Sequence, residues 1–397
     1  MTDVYVSGYA VIPPSRARAD RGEAVLTAEE YHARALSALL HSLGIGKREL
    51  DGLSYALGIN RTLWPHSLIY SAEVAQNLGV APKLTVVSDH GGMSALSLLS
   101  EGYAFIKSGV VDHVVLLGVD SPLTPSKPQG GYRLERTWRY ELNYELPLGM
   151  IGPLSEAALI ARRHMYEHGT TPEQLGLVAV SQRKNASKNP WAYLKQPLTV
   201  DEYLKSPYLA EPVRILDAVI PVNGGFALML SRSDDAKRFT DKPVRIEGVE
   251  TQVNSEPQNE LRDITKLNIP SARLLERVGV GLNGIDFLEL YDDFTVVVLM
   301  QLEALGFASE GGGRFVEKNS ITYDGNLPVN TGGGQLSGGQ AGTAGGFSLV
   351  VEAIQQLREE AGERQVKGAT RGLVTGLGCL GYNHNLVNRG VALLSKP

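Results

Sequence analysis

A glycine-rich stretch, residues 324–346, is the clearest indication of a binding site in this chain. It reads Asp-Gly-Asn-Leu-Pro-Val-Asn-Thr-Gly-Gly-Gly-Gln-Leu-Ser-Gly-Gly-Gln-Ala-Gly-Thr-Ala-Gly-Gly and runs directly into a helical pattern at Phe347. Glycines let another molecule approach the main chain closely, and a helix N-terminus offers unpaired N–H groups with a partial positive charge. Gly/Ser-rich runs are usually flexible linkers. Asn330, Gln335, Gln340 and the immediate helix start favour a structured loop that faces a ligand.

Three residues next to one another carry groups suited to acid–base chemistry. Asp292 and Asp293 are adjacent carboxylates that could act as a general acid and a general base. Helix capping explains them equally well, because Phe294 opens a helical pattern and aspartate is favoured at helix starts. Tyr291 could transfer a proton, or it could be a strand-end tyrosine with a satisfied hydroxyl. The sequence leaves both explanations open for all three.

Cysteine and histidine are the remaining candidate groups. Cys379, the single cysteine, is explained as well by a buried structural role as by catalysis. His90 and His384 lie in loops expected near the site, where single histidines are more often structural. His164 and His168 have i, i+4 spacing, which a solvated helix face explains. No third ligand accompanies them, so the sequence favours no metal site.

The composition limits the classes of function. The chain has 397 residues, 43% hydrophobic and 20% charged, which is typical of a globular protein too long for one ordinary core. A net charge of −5 gives no indication of nucleic acid or an anionic membrane as partner. One cysteine excludes an intramolecular disulfide framework. No apolar run could span a membrane, and a strand pattern follows Met1 directly, so we expect a cytoplasmic protein.

Strands and helices alternate along the first part of the chain and must position these groups. Apolar patterns predict strands that begin at Val4, Leu50, Leu84 and Val114, and helices over 27–43, 68–78 and 93–107. Alternation of this kind predicts right-handed βαβ units and a mainly parallel sheet. Residues 120–212 interrupt it with Pro, Tyr, Arg and Lys and one clear helix at 155–168. Such an insertion is typical of a substrate-covering lid.

The chain then repeats its own pattern. Gly44-Ile-Gly-Lys-Arg-Glu-Leu-Asp-Gly-Leu aligns without a gap with Gly279-Val-Gly-Leu-Asn-Gly-Ile-Asp-Phe-Leu. The Gly91-Gly92 turn into one helix likewise has a counterpart in the Gly345-Gly346 turn into the helix over 347–360. A repeat of this size predicts two similar α/β halves packed together. We place the halves at residues 1–243 and 244–397, with the insertion at about 120–212 in the first.

Four motifs match a known family. They are Glu289-Leu-Tyr-Asp-Asp-Phe, Leu302-Glu-Ala-Leu-Gly-Phe, Pro328-Val-Asn-Thr-Gly-Gly-Gly-Gln-Leu-Ser and, in the insertion, Asn185-Ala-Ser-Lys-Asn-Pro-Trp-Ala. They resemble, in that order, the Glu-Leu-His-Asp-Cys-Phe and Glu-Ala-Leu-Gly motifs, the Asn-x-x-Gly-Gly loop and the lid of sterol carrier protein X-type thiolases. The resemblance implies the α/β thiolase fold, in which two similar βαβ-rich halves form αβαβα layers and the first half carries a lid.

The same resemblance shows which catalytic groups are missing. A thiolase uses a nucleophilic cysteine at a helix N-terminus in its first half, and that position falls on Gly92. The family's two site histidines fall on Gln340 and Tyr291. Covalent acyl transfer needs an activated nucleophile beside a base. Neither stands at its usual place in this chain.

This pattern is similar to that of the thiolase-like aldolases of steroid side-chain degradation. Those proteins lack the nucleophile, carry Tyr-Asp-x-Phe with an Asn-Thr-x-Gly-Gly-x-Leu-Ser loop, and cleave a β-hydroxyacyl-CoA by retro-aldol chemistry. That reaction needs a base and hydrogen bonds to the developing enolate oxygen, but no acyl-enzyme. One departure is Gln340, which stands where those aldolases carry a second tyrosine. Glutamine donates a hydrogen bond but cannot shuttle a proton.

The resemblance therefore implies a CoA-thioester-dependent carbon–carbon bond enzyme, foremost a retro-aldolase acting on a steroid side-chain or similar lipid or aromatic acyl-CoA. A Claisen-type acyltransferase without the usual cysteine and a catalytically silent scaffold or lipid-binding subunit are the alternatives. Coenzyme A enters as part of the substrate, and no covalently bound cofactor is expected. The expected catalytic residues are Tyr291, Gln340, Asp292, Cys379 and His384, and the expected substrate- and CoA-binding residues are His90, Gly91, Gly92, Asn330, Gly333, Gly334 and Ser337.

Assembly is also implied by the resemblance. Thiolase-like halves normally pair through the edge strand beside the nucleophile turn, here roughly residues 84–90, so we expect a homodimer. Burying that edge also removes an aggregation-prone surface. The related aldolases work with a small partner that carries a zinc ribbon and an OB-fold, and a complex of this kind is a second expectation.

Overall fold

The computed structural model describes residues 2–17, 21–63, 67–124, 143, 145–150, 152–253, 265–378 and 388–397. Two of the expected catalytic residues, Cys379 and His384, lie outside these described residues. Within the described ranges, no helix is both long enough and apolar enough to cross a bilayer.

A nine-stranded mixed sheet is the framework of the molecule, in the order β3-β2-β4-β7-β1-β8-β11-β10-β9. A separate two-stranded sheet pairs β5 with β6. The strands are β1 (Val4–Ser15), β2 (Tyr55–Asn60), β3 (Leu84–Ser88), β4 (His113–Asp120), β5 (Tyr208–Ala210), β6 (Val213–Arg214), β7 (Asn223–Arg232), β8 (Val244–Val253), β9 (Phe287–Glu289), β10 (Arg371–Gly378) and β11 (Asn388–Ser395).

The expectation of a mainly parallel sheet is wrong. Only β2–β3, β2–β4 and β9–β10 are parallel, while the other five neighbouring pairs of the nine-stranded sheet are antiparallel. Parallel neighbours need a crossover, usually a helix, whereas a strand that returns without one pairs antiparallel. Strand β11 begins at Asn388, shortly after β10 ends at Gly378, and pairs antiparallel with it. Strand β7 also pairs antiparallel with its neighbour β4, although the long insertion lies between them in sequence. The βαβ alternation of the sequence therefore describes only part of each half.

Both parts of the sheet have the same strand order. The first part runs β3-β2-β4-β7-β1, and the second runs from β9 through β10 and β11 to β8. In the first part, β3 pairs parallel with β2. In the second part, Val329 takes the place of such a strand and forms an isolated parallel bridge with Leu288 of β9. The two parts are joined by antiparallel pairing of Tyr5 with Arg245 and Val6 with Val244. The exact division at residues 243 and 244 stays a prediction.

The helices pack on both faces of this sheet. They are α1 (Ala28–Leu43), α2 (Lys47–Asp51), α3 (Tyr70–Leu78), α4 (Ser94–Lys107), α5 (Gly152–His168), α6 (Pro172–Ala186), α7 (Val200–Lys205), α8 (Ser233–Phe239), α9 (Ser271–Val278), α10 (Thr295–Ala304), α11 (Gly312–Lys318), α12 (Gly334–Gly338) and α13 (Phe347–Arg358). The predicted helices α1, α3, α4, α5 and α13 are confirmed, with bounds shifted by a few residues.

The layer order follows from what each helix contacts. The helices α4 and α13 lie inside, where α4 contacts β2 and β4 as well as β8 and β10, and every residue of α13 is buried. On the outside, α1 packs on β1, β4 and β7, and α9 packs on β8 and β11. The polar residues of α13 are buried with the rest of this helix, which therefore lies between layers and not at the surface. This arrangement is the α/β thiolase fold that the sequence predicts.

The insertion holds more helix than the sequence pattern reveals. In addition to α5 it contains α6 and α7, and both begin at a threonine with a capping box: Thr171 with Gln174, and Thr199 with Glu202. Such a box satisfies two N–H groups at a helix start. The helix α6 contacts α10, α11 and α12, so the insertion lies against the second half at the glycine-rich loop.

Candidate active site

Tyr291 lies two residues after β9 and is only 4% exposed. Its N–H donates to Thr375 Oγ1 at 2.9 Å, and its carbonyl accepts from Gln301 Nε2 at 2.6 Å. Thr375 in turn donates to Gln301 Oε1 at 2.6 Å. Strand β10 and helix α10 therefore fix the backbone of Tyr291 from two sides, and the side chain leaves from a rigid frame.

The hydroxyl of Tyr291 lies where a side chain at position 92 would project. A Cβ built on Gly92 would come within 2.0 Å of Tyr291 Oη and 2.4 Å of the Leu377 carbonyl oxygen. Real Cβ atoms do not tolerate such distances, so this position requires glycine while Tyr291 holds its present rotamer. The phenol occupies the space that the family's nucleophile would need.

Gln340 completes this group. Its Nε2 donates to Tyr291 Oη at 3.1 Å. Two hydrogen bonds to the segment just before β7 fix its backbone: its N–H donates to the Ile220 carbonyl, and its carbonyl accepts from the Val222 N–H. The amide bond uses a lone pair of the phenol oxygen and does not consume the phenol proton. Three residues predicted from the sequence, Gly92, Tyr291 and Gln340, are thus brought together.

Two helix starts meet at this point. The turn Gly91–Met93 leads into α4, the turn Gly342–Ala344 leads towards α13, and the two turns contact each other. A Cβ on Gly346 would lie 2.4 Å from the Gly92 carbonyl oxygen, which shows how closely the main chains approach. Helix N-termini favour negative charge. The arrangement therefore offers an acid–base hydroxyl in an environment suited to a developing oxyanion.

Asp292 does not face Tyr291's hydroxyl but caps a helix. Its carboxylate accepts from the N–H groups of Gln335 at 2.9 Å and Leu336 at 3.1 Å, at the start of α12. The sequence suggests capping at Phe294, whereas the capped helix lies more than forty positions away. A Cβ on Gly334 would lie 2.0 Å from Asp292 Oδ2. The glycine is needed for the carboxylate to reach the helix.

Burial raises the pKa of Asp292 to about 8 from its usual 3.8, although the two N–H bonds oppose the shift. As pH rises, the unfolded chain therefore loses this proton before the folded protein does. The contribution of the protonated Asp292 to the free energy of unfolding is complete below about pH 4 and is lost as pH rises through about 8.

We expect Asp292→Asn to flatten the fall in unfolding free energy between pH 5 and 8 by up to about 1.4 kcal/mol per pH unit. Urea unfolding across this range measures it. The control is Asp324→Asn, because Lys184 holds the pKa of the exposed Asp324 below its usual value, and this variant should leave the slope in that range unchanged. Equal slopes for wild type and Asp292→Asn would contradict the assignment.

Asn330 clamps the segment that carries Tyr291. It has a left-handed backbone, with φ 50°, which asparagine tolerates better than most residues. Its Oδ1 accepts from Leu290 N–H at 2.6 Å and its Nδ2 donates to the Leu290 carbonyl at 2.9 Å. Both polar atoms are used within the protein. Asn330 is therefore a positioning residue by its contacts, and its predicted role in binding substrate stays a prediction.

The side-chain faces of Gly333 and Gly334 are also filled by protein. A Cβ on Gly333 would lie 2.5 Å from Ala186 Cβ, and one on Gly334 would strike Asp292. Both have positive φ, 94° and 58°. The space in front of both glycines belongs to α6 and to Asp292, and their predicted roles in binding substrate or CoA stay predictions. Larger side chains at these two positions would disturb packing first.

The other predicted binding residues are found around this centre. His90 Nδ1 lies 3.2 Å from Ser88 Oγ and 3.0 Å from Ser97 Oγ, just before Gly91, whose φ of 57° makes the tight turn into α4. Ser337 is buried, and its hydroxyl accepts from Arg183 Nε at 3.2 Å. These contacts place His90 at the turn into α4 and Ser337 against α6, but they do not test the roles of the two residues.

Sequence reasoning missed two supports of the glycine-rich loop. Asp120, at the end of β4, accepts from the N–H of Thr343 at 3.1 Å, and a Cβ on Gly342 would lie 2.2 Å from its carboxylate. Burial raises the pKa of Asp120 to about 6. Asn60, at the end of β2, donates to the Thr343 hydroxyl at 2.7 Å. The sequence did offer a signal for these supports, because each of two neighbouring buried strands, β2 and β4, ends in a polar residue.

A buried carboxylate pair underlies the other end of the loop. The Thr331 hydroxyl lies 2.8 Å from both Glu289 Oε1 and Glu352 Oε1. Arg364 forms a buried ion pair with Glu352 at 2.9 Å. Burial, followed by the charge of Glu352, raises the pKa of Glu289 well above its usual value. A protonated Glu289 beside the Glu352–Arg364 ion pair fits this arrangement.

Comparisons with known proteins find relatives of this chain in sequence and in fold. Residues 249–387 match the family model described as "Thiolase C-terminal domain-like". An acetyl-CoA acetyltransferase of Methanothermobacter thermautotrophicus is 31% identical over 352 residues, covering 86% of this chain and 89% of that protein. A 17-hydroxy-3-oxo-4-pregnene-20-carboxyl-CoA lyase of Mycobacterium tuberculosis is 28% identical over 350 residues, covering 82% and 85%. A solved structure described as an Ltp2-ChsH2(DUF35) aldolase superposes with a TM-score of 0.81 at 24% identity, covering 99% of this chain and 98% of that one.

Proposed function

Because this chain belongs to the thiolase-like superfamily of acyl-CoA carbon–carbon bond enzymes, we propose that it cleaves a β-hydroxyacyl-CoA by retro-aldol chemistry. The observation that carries the proposal is the Tyr291 hydroxyl in the space of the missing nucleophile, against Gly92. A covalent acyl-enzyme at this position would need both a nucleophile and room for it. A hydroxyl backed by the Gln340 amide suits proton transfer instead.

The reaction would proceed without a covalent intermediate. The β-hydroxyl gives up its proton, the bond between the α and β carbons breaks, and a ketone or aldehyde leaves. The electron pair forms the enolate of the shortened acyl-CoA, which then takes a proton at the α carbon. Tyr291 either takes the proton of the β-hydroxyl as the phenolate and returns it at the α carbon, or donates to the enolate oxygen as the phenol, and both roles need its phenol oxygen. The N-terminal turns of α4 and α13 favour the negative charge.

The substrate class is proposed to be a steroid side-chain or similar lipid or aromatic acyl-CoA. The similarity to a lyase named for a pregnene carboxyl-CoA supports this class. A cavity of about 480 Å³ lined by Arg183, Trp191, Tyr193 and Lys195 supports the CoA part. Its two cations suit phosphate groups and its aromatic rings suit a nucleobase. Arg183 also contacts Ser337, which links the cavity to the glycine-rich loop.

Product analysis separates this proposal from its alternatives. The purified chain, alone and with a partner protein of the DUF35 type, is incubated with a β-hydroxyacyl-CoA and, separately, with a β-ketoacyl-CoA and free CoA. We expect equimolar carbonyl product and shortened acyl-CoA from the first mixture and no thiolysis in the second. Thiolysis that is lost in Cys379→Ser would favour the acyltransferase alternative, for which the 31% identical acetyltransferase is the supporting observation. Inactivity in both mixtures would leave the silent subunit.

Assembly is proposed to use the free edge of the sheet. Among the described strands, β3 stands at one end of the nine-stranded sheet, and Val87 in this strand is 36% exposed. Unpaired edges favour strand pairing between chains. We expect light scattering at micromolar concentration to give the mass of a homodimer, and a purely monomeric mass would contradict the prediction. The aldolase structure whose description includes ChsH2(DUF35) supports a further complex with a partner of that type.

A further inference from the structure

Three residues of metal-binding types, two histidines and one glutamate, meet at the last turn of α10. His164 and His168 lie on α5 and Glu303 lies in the last turn of α10. One ligand atom from each residue lies within 4.8 Å of the others. The sequence shows the two histidines but not the third member of the group, because Glu303 is 139 positions away from His164.

His164 is the fixed centre of the group. It is fully buried, so the solvated helix face inferred for it from the sequence is wrong. Its Nε2 lies 3.3 Å from the Glu303 carboxylate, and its Nδ1 lies 2.8 Å from the Thr170 hydroxyl. An imidazole whose outer nitrogen is held by a protein group is the usual arrangement of a metal-bound histidine.

Glu303 and His168 approach the same point from different elements. Glu303 Oε1 accepts from the Gly312 N–H at 2.6 Å, which orients the carboxylate. His168 is one helical turn from His164, with ring centroids 4.6 Å apart, and its Nε2 lies 3.0 Å from the Thr265 hydroxyl. Because His168 is exposed at the helix end, its ring can turn towards the other two ligands.

We propose that His164, His168 and Glu303 bind one divalent cation of the zinc class. Two imidazole nitrogens and one carboxylate oxygen form a donor set that Zn²⁺ prefers, with a water in the fourth position of a tetrahedron. Zn–ligand bonds of about 2.0–2.2 Å bring ligand atoms to roughly 3.4 Å from each other. His164 and Glu303 already have this spacing, and His168 reaches it by a small side-chain movement.

The bound cation would join the insertion to the second half of the protein. Helix α5 belongs to the insertion, whereas α10 starts directly after the Tyr291 segment. The cation would therefore act as a structural link between α5 and α10, and the reaction proposed above does not depend on it.

Calorimetric titration of the chelator-treated chain with ZnCl2 tests the site. We expect one Zn²⁺ per chain, a higher thermal unfolding temperature with the metal, and visible absorption of tetrahedral Co²⁺ when cobalt replaces zinc. His168→Ala should weaken Zn²⁺ binding by at least roughly 100-fold, because loss of a direct ligand costs more than the 10–100-fold typical of outer-shell partners. Since His168 is exposed, the variant should fold, which circular dichroism checks.

Two further variants make the test specific. Glu303→Gln keeps an acceptor for Gly312 but removes the charged ligand, and it should weaken Zn²⁺ binding to a similar degree. His41→Ala removes an exposed histidine from α1 and should bind Zn²⁺ like the wild type. Absence of one-to-one binding in the wild type, or equal affinity in the wild type and folded His168→Ala, would overturn the proposal.

Discussion

Replacing Tyr291 by phenylalanine is expected to lower the turnover of a β-hydroxyacyl-CoA by about 10²–10⁴-fold, the usual contribution of one general acid–base group. The ring that fills the space beside Gly92 remains, and only the oxygen that accepts from Gln340 is lost. Substrate affinity should change little, because the lost interaction acts mainly in the transition state. Single-turnover product formation measures the first effect and acyl-CoA titration the second.

A tyrosine on the surface supplies the matched control. Tyr166 on α5 is 81% exposed, and Tyr166→Phe removes the same atom without touching the proposed site. Its turnover should equal that of the wild type. Normal turnover in Tyr291→Phe would show that the site assignment is wrong. His90 and Asp292 within the described residues, and His384 outside them, would then be the next groups to test.

Restoring the family's nucleophile by Gly92→Cys is expected to damage the protein and not to create a thiolase. The new Cβ would overlap Tyr291 Oη at 2.0 Å and the Leu377 carbonyl at 2.4 Å. Overpacking of a buried position typically costs about 1–3 kcal/mol of stability, and a backbone neighbour that cannot move aside favours the upper end. Displacement of Tyr291 should also reduce retro-aldol turnover by about 100-fold or more, as loss of its proton transfer would.

Gly281→Cys is the matched control for this substitution. Gly281 has an ordinary extended backbone, φ −86°, and a Cβ on it would meet no atom within 4 Å. Urea unfolding should therefore place Gly281→Cys near the wild type and Gly92→Cys well below it. A stable Gly92→Cys protein that forms an acyl-enzyme from acyl-CoA would contradict both the packing argument and the non-covalent mechanism.

The pairing of Gly92 with Tyr291 explains why two departures from the thiolase pattern occur together. A residue with a side chain at position 92 and the present rotamer of Tyr291 exclude each other in space. Loss of the nucleophile therefore makes room for the phenol, and the phenol in turn requires glycine. Gln340 is a third departure that fits the same arrangement, because its amide donates a hydrogen bond to the phenol oxygen and cannot act as a base.

Local sequence determined most of the elements and the family. Apolar periodicity and glycine turns predict α1, α4 and α13 and the strands β1, β3 and β4, since these signals act within a few residues. The repeated glycine turns and the Tyr-Asp-Asp-Phe motif, together with glycine at the position of the usual cysteine, indicate a thiolase-like protein without the usual nucleophile. Mainly parallel pairing was predicted wrongly, because the direction of β7 is set by pairing with residues far away in sequence, such as Gly224 with Asp120.

Tertiary structure alone decided what the side chains do. That Tyr291 fills the space above Gly92, that Asp292 caps α12, and that Glu303 meets His164 each depend on segments far apart in sequence. Residue type and spacing supply the chemistry a group is capable of, but its partner is chosen by packing in three dimensions. The sequence therefore determined which groups this protein has and lacks, and the fold determined which of them meet, because close packing leaves each buried group only the neighbours that share its space.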